Sequence, residues 1–236
     1  MKDTKLTFKR YEKKYLLSAP QYERFQRRLD GYIEPDEYFS STVCSVYYDT
    51  DDFELIRHSI DAPVYKEKLR LRSYNVPQPD GTVFVELKKK FKGVVYKRRA
   101  MMKAAEAAEY LAGRRPAPYD GQVVREIDWF LKTNEVRPRV YIACDREAYR
   151  AIDDWELRIT FDRNIRWRDT ELELTAGSSG EPLLPEGSVL MEIKAPEAAP
   201  LWLAHVLSEE RLFPARFSKY GTCYRENLLN GVLLNV

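Results

Sequence analysis

The stretch VYKEKLRLRSY, residues 64–74, decides how the rest of the chain is read. Side chains alternate across a strand, so Lys66, Lys68, Arg70 and Arg72 share one face with Val64, while Tyr65, Glu67, Leu69 and Leu71 point to the other. Four neighbouring cations repel one another unless something anionic sits among them. Arginine offers a planar fork and lysine a compact point charge, and both suit phosphate oxygens. The same row also fits an edge strand that its charges keep from pairing with other chains. The stretch alone leaves both readings open.

The neighbouring segments repeat the pattern. Residues 75–81, NVPQPDG, form a hairpin loop rich in turn residues. Thr82 to Lys90 then pairs back, with Phe84, Glu86, Lys88 and Lys90 on one face and Val83, Val85 and Leu87 on the other. After a turn at Phe91-Lys92-Gly93, Val95, Lys97, Arg99 and Met101 share a face. Upstream, Leu6 to Leu17 reads as a strand carrying Phe8, Arg10, Glu12 and Lys14 on one side, and Ser18 with Gln21 resembles a capping box opening a helix. Thr42 to Tyr48 is β-branched and aromatic and reads as a strand. The acidic run Asp49–Asp52 caps a short helix near Phe53–His58, with a metal site as the alternative.

Downstream, helices are expected over 103–111 and 122–131, and strands over 139–149, 155–163 and 189–194. Glu156, Arg158, Thr160 and Asp162 share one strand face, and Glu192 and Lys194 another. Residues 177–187 read as a flexible loop, 199–212 as an amphipathic helix, and 217–229 as a last helix entered through Ser218-Lys219. The fold class is α+β: about eight strands, at least five of them apolar on one face and charged on the other, with helices to cover the apolar faces. If the sheet closes, the charged faces line the lumen of an antiparallel barrel and no edges remain. The competing arrangement leaves the charged face in water. Clustering of the cations favours the closed form.

Bulk composition excludes several classes. Lys and Arg total 39 against 37 Asp and Glu, a net charge of +2, so the chain is not a globally basic nucleic-acid binder and an anion site must come from local segregation of charge. No apolar run approaches the roughly 18 residues that span a bilayer. The N-terminal MKDTKLTFKRYEKKY has no apolar core for a signal peptide. Cys44, Cys144 and Cys223 are far apart and odd in number, which fits buried reduced thiols and a cytoplasmic location.

In order along the chain, RYEKKYLL (10–17), YYDTDDFELIRHSI (47–60), KLRLRSY (68–74), FVELKKK (84–90), VYKRR (95–99), CDREAY (144–149), ELRITFD (156–162), LMEIKAP (190–196) and RFSKYGT (216–222) together resemble the catalytic VTC domain. That family is the polyphosphate polymerase branch of the CYTH-like triphosphate tunnel metalloenzymes. The resemblance covers nearly all of residues 1–236 and implies a single domain. It implies a tunnel of eight antiparallel strands wrapped by helices. The implied activity is transfer of the γ-phosphoryl of ATP, or another nucleoside triphosphate, onto polyphosphate, with a divalent metal, Mn²⁺ or Mg²⁺.

Carried over by position, Lys14, Arg70, Arg72, Lys88, Lys97, Arg146, Arg158 and Lys219 take catalytic places, and Ser218 completes the FSK-type motif. Strict alternation nevertheless puts Arg146 with Val140, Ile142 and Cys144. Arg10, Lys66, Lys68, Lys90, Arg99 and Lys194 join as further phosphate-binding cations. Glu192 is the implied metal ligand, with Glu12 or Glu86 beside it. The broader superfamily opens with ExExK, whereas Arg10 stands here at the first Glu, which fits the polymerase branch better than a two-metal triphosphatase. Nothing in the sequence matches the phosphate-sensing SPX domain or the membrane segments of eukaryotic relatives. The other classes compatible with the residues are a triphosphate or short-polyphosphate hydrolase and a non-catalytic polyanion-binding barrel. Nucleic acid is not an expected partner, because most tyrosines lie opposite the cations and leave no stacking platform. Neither His58 nor His205 reads as catalytic.

Overall fold

The structure, a computed structural model, describes residues 11–92, 94–196 and 198–229. Arg10 and the start of the first expected strand therefore lie outside the described residues. The elements run β1 (Tyr11–Leu17), α1 (Ala19–Arg28), β2 (Ile33–Asp49), α2 (Glu54–Ile60), β3 (Tyr65–Tyr74), β4 (Thr82–Phe91), β5 (Val94–Lys103), α3 (Ala104–Leu111), α4 (Gln122–Thr133), β6 (Arg137–Ala151), β7 (Arg158–Arg168), β8 (Glu181–Pro182), β9 (Val189–Ala195), α5 (Leu201–Glu209) and α6 (Lys219–Cys223). The eight expected strands are present, and the two-residue β8 adds to β7 inside what reads in sequence as a loop.

The strand order is β1-β9-β7-β6-β2-β3-β4-β5, and the fold is α+β around one large antiparallel sheet. Among the described residues no hydrogen-bonded pairing joins β5 to β1, so the expected closed eight-stranded barrel is not what the hydrogen bonding shows. The chain groups into two compact units. Of the described residues, the first takes those within 11–41, 145–164 and 184–217, and the second those within 42–144, 165–183 and 218–229.

In the first unit the apolar strand face carries Tyr15, Leu17, Ile159, Phe161, Met191 and Ile193 and packs on Phe25 and Leu29 of the α1 segment and on Leu203 and Val206 of α5. Helix α1 starts as the sequence dictates: the Ser18 side chain accepts from the Gln21 N–H, and the Gln21 side chain accepts from the Ser18 N–H. In the second unit Val46, Leu69, Leu71, Val83, Val85, Leu87 and Ala100 form the apolar face under α3 and α4, which contribute Ala107, Tyr110, Ile127 and Phe130. Burying these side chains is what fixes the register, because a slip by one residue would drive the charged face into the core.

Several element boundaries differ from expectation. Strand β2 begins at Ile33, nine residues before Thr42, through a polar, largely solvated segment containing Pro35. Strand β7 begins at Arg158, since Trp155 lies in the preceding turn and is exposed. Helix α6 is short and runs on as a π-helical turn over Tyr224–Leu228. No helix among the described residues is long and apolar enough to cross a membrane.

Candidate functional site

In the second unit, antiparallel register sets the charged residues of β3, β4 and β5 side by side in rows. Lys66 faces Lys90; Lys68, Lys88 and Lys97 form the next row; Arg70, Glu86 and Arg99 form the third. Directly opposed side chains on one face are close neighbours, and like charges there repel. The third row has a buried carboxylate at its centre. Glu86 keeps 1% of its surface exposed. Its Oε2 accepts from Arg70 Nε at 2.7 Å and Nη2 at 2.6 Å, with Arg72 Nε at 4.0 Å. Its Oε1 accepts from Arg99 Nε at 2.8 Å and Nη2 at 2.6 Å, and from Lys97 Nζ at 2.7 Å. Burial would raise the Glu86 carboxyl, but Arg70, Arg72 and Lys97 outweigh it and hold the group well below the ordinary carboxylate range. The expectation that Glu86 helps hold a metal meets an obstacle here, because cations already occupy both of its oxygens.

Further groups fix the cations. Tyr47 on β2 accepts from Arg70 Nη1 at 3.3 Å, Ser45 accepts from Arg72 Nε at 3.2 Å, and Tyr74 accepts from Arg99 Nη2 at 3.4 Å. The Arg99 guanidinium also sits 4.4 Å from the Phe84 ring centroid. Burial would push the Tyr47 phenol up, yet Arg70 and Arg72 bring it below its ordinary value, a sign of strong positive potential on this face. Burial lowers the Lys97 ammonium to about 8 against the pull of Glu86. Lys68 Nζ lies 3.5 Å from Ser218 Oγ, and Ser218 also caps α6 by accepting from the Gly221 N–H at 3.2 Å, so the FSK-type motif reaches the lysine row. Lys219 is close enough to help lower Tyr47. Lys66 Nζ donates to the Ser59 carbonyl at 2.9 Å.

Tyr47 and Tyr74 lie on the cationic face, which sequence parity placed mostly free of tyrosine. The pairing of Tyr47 with Arg70 needs the β2–β3 register, and one strand does not reveal it. Tyr47 is buried, stacked on Tyr220 with centroids 4.7 Å apart, and so offers no platform for a base. Tyr220 in turn donates to Asp49 at 2.8 Å, and Asp49 accepts from the backbone N–H groups of Thr50, Leu55 and Ile56 at 2.9–3.0 Å. The acidic run thus caps α2, the helix-capping reading rather than the metal one. Among the described residues no group of three or more His, Cys, Asp or Glu side chains is placed to hold a metal.

The first unit gathers a different set. Glu12 and Lys14 on β1 face Lys194 and Glu192 on β9. Lys14 Nζ is 3.4 Å from Glu192, 3.7 Å from Glu12 and 3.2 Å from the Phe217 carbonyl, and Lys194 Nζ is 3.7 Å from Glu192. Thr160 stands opposite Glu192 across the β7–β9 pair, and its hydroxyl, on a residue 7% exposed, has no hydrogen-bond partner. Arg158 faces Lys194 and pairs with Asp36. Arg146 makes a two-pronged ion pair with the buried Asp162, at 2.6 and 2.7 Å, which accounts for a charged residue where alternation expects an apolar one.

The chain matches the model of the VTC domain over residues 9–227. The chain belongs to the VTC domain family. No curated protein matches it. The fold recurs in solved structures. A candidate adenylate cyclase from Bacillus halodurans aligns at 15% identity and TM-score 0.54, over 88% of this chain and 92% of its own. A candidate adenylyl cyclase from Hippeastrum, described as having a dominant triphosphatase activity, aligns at 15% identity and TM-score 0.53, over 91% and 94%. At 15% identity these neighbours share the fold with this chain, and the likeness carries no more than that.

Proposed function

We propose that this protein is a polyphosphate polymerase that moves the γ-phosphoryl group of ATP, or another nucleoside triphosphate, onto a growing polyphosphate chain. The observation that carries the reading is the β3–β5 face of the second unit. Eight cations, Lys66, Lys68, Arg70, Arg72, Lys88, Lys90, Lys97 and Arg99, share it with the single carboxylate Glu86. Phosphoryl transfer asks a protein mainly for positioning and for stabilisation of charge on the phosphoryl oxygens. Arg70 and Arg99, held by Glu86, Tyr47 and Tyr74, present fixed forks for a triphosphate. The rows Lys66–Lys90 and Lys68–Lys88–Lys97 suit a repeating polyanion, because point charges accept phosphates without demanding one orientation. Membership of the VTC family supports this substrate class. The reading includes one domain spanning residues 1–236, with the sheet closing as an eight-stranded tunnel. It also includes a cytoplasmic location, supported by three free buried cysteines.

A divalent metal, Mn²⁺ or Mg²⁺, belongs to the proposal. Glu192 and Glu12 would hold it, and the donor chemistry fits: two carboxylates balanced by Lys14 and an orphaned Thr160 hydroxyl opposite Glu192 supply hard oxygens. Such an ion, when bound, neutralises phosphate charge. The nucleophile would be a terminal phosphate oxygen of the acceptor chain. Incubation with ATP and Mn²⁺, followed by a polyphosphate gel, tests the proposal. Long chains support it; release of inorganic phosphate alone makes the protein a hydrolase, and tight polyphosphate binding without turnover makes it a binding module.

A further inference from the structure

We propose that Glu86 is a built-in counter-anion of the phosphate site, a positioning residue that holds Arg70, Lys97 and Arg99 in their working places and whose negative charge opposes that of the arriving polyphosphate. The inference rests on the reading of this face as a polyphosphate site and says how that site is kept assembled when no ligand is present.

Three observations lead there. Glu86 is the one acidic side chain on the cationic face of β3–β5, and cations flank it in the same row on both neighbouring strands. A carboxylate has about four lone-pair sites, and the five N–H contacts within 2.8 Å from Arg70, Arg99 and Lys97 fill them. A divalent cation would have to displace those groups and enter a cluster of like charge. Nor is Glu86 merely a neutralising ion pair: one carboxylate against Arg70, Arg72, Lys97 and Arg99 leaves the cluster with a positive surplus.

The geometry also explains how the site survives empty. Without an anion, Arg70 and Arg99 would swing apart into solvent, and each binding event would have to order them again. Pre-ordering transfers that cost to folding. In exchange, a negative charge stands close to where substrate phosphates bind, and it weakens their hold. A residue of this kind raises turnover while it loosens binding, and that pairing separates it from a structural residue or a metal ligand.

The test compares wild type with Glu86→Gln and Glu86→Asp, using tripolyphosphate as the binding probe without metal and ATP with Mn²⁺ for turnover. Glu86→Gln, which removes the charge but keeps the shape, should bind tripolyphosphate at least about fivefold more tightly and show a larger thermal shift. Its kcat should fall about tenfold or more because the forks lose their aim. The Mn²⁺ concentration giving half-maximal rate should stay unchanged. Glu86→Asp keeps the charge and retracts it, so kcat should fall while tripolyphosphate affinity stays within about twofold of wild type. This variant carries the test if the Gln variant does not fold. Binding in Glu86→Gln that is equal to or weaker than wild type, unchanged turnover in Glu86→Asp, or a shifted Mn²⁺ requirement would each overturn the inference. Failure of wild type itself to bind tripolyphosphate would instead overturn the reading of the face on which it rests.

Discussion

Arg70→Ala separates a ligand-binding role from a structural one more sharply than any other single change. Arg70 gives three N–H groups to protein partners, two to Glu86 and one to Tyr47, and its remaining donors are available to a phosphate. One charge-assisted contact contributes about 1.5–3 kcal/mol, so its loss should lower kcat/KM about 10- to 150-fold. Stability should change much less. Breaking a buried ion pair costs about 3–5 kcal/mol when the partner is left alone. Glu86 would keep Lys97 and Arg99 within 2.8 Å, with Arg72 nearby, so it is not left alone. A cost of about 1–2 kcal/mol is expected, which for a chain of this size is a fall of about 2–8 °C in Tm. Arg70→Lys should fall between wild type and Arg70→Ala, since it restores the charge without the fork. The assays are polyphosphate formation from ATP and a thermal melt of each variant. A Tm drop beyond about 10 °C would make Arg70 a structural residue, and a kcat/KM within about threefold of wild type would remove it from the site; either result refutes the reasoning.

Further expectations follow from the same geometry. Glu192→Gln should abolish the Mn²⁺ stimulation of turnover while metal-free tripolyphosphate binding persists, and titrations with and without Mn²⁺ check both halves. Burial sets the Lys97 ammonium near pH 8, charged below and neutral above. Tripolyphosphate affinity should therefore weaken as pH rises through about 8, and binding just above that pH should take up a proton that Lys97→Met abolishes, as read by calorimetry in two buffers of different ionisation enthalpy. Asp49→Ala should destabilise by at least about 3 kcal/mol, because it strands three backbone N–H groups and the Tyr220 hydroxyl, and a denaturant melt measures it.

Much of the fold is legible in the sequence because the alternation is clean. The hairpin from Lys66 to Lys90 assigns every side chain to its face, and Ser18 with Gln21 announces the start of α1. The first half of β2 is not legible: residues 33–41 are polar, largely solvated and interrupted by Pro35, so no apolar period marks them. Trp155 misleads in the opposite sense, as an aromatic that extends the β7 pattern but lies exposed in a turn. Within the site, the cations are visible one strand at a time, whereas their arrangement depends on register. That Glu86 stands between Arg70 and Arg99, while Lys88 stands between Lys68 and Lys97, follows only once three strands are aligned. For the same reason Tyr47 is missed as a support for Arg70, and the buried partner of Arg146, Asp162, is out of reach of periodicity. Closure of the sheet is the expectation that alternation cannot decide, since an open and a closed sheet read alike in one dimension.

The measurement that tests the central claim most directly is lysine footprinting. The protein would be acetylated at limiting reagent with and without tripolyphosphate, and modification at each lysine quantified by mass spectrometry. If the β3–β5 face is the polyphosphate site, Lys66, Lys68, Lys88, Lys90 and Lys97 should be protected together, while Lys13 on β1 and Lys132 on α4 keep their rates. Uniform protection of all lysines, or unchanged rates at Lys68, Lys88 and Lys97 under saturating tripolyphosphate, would contradict it.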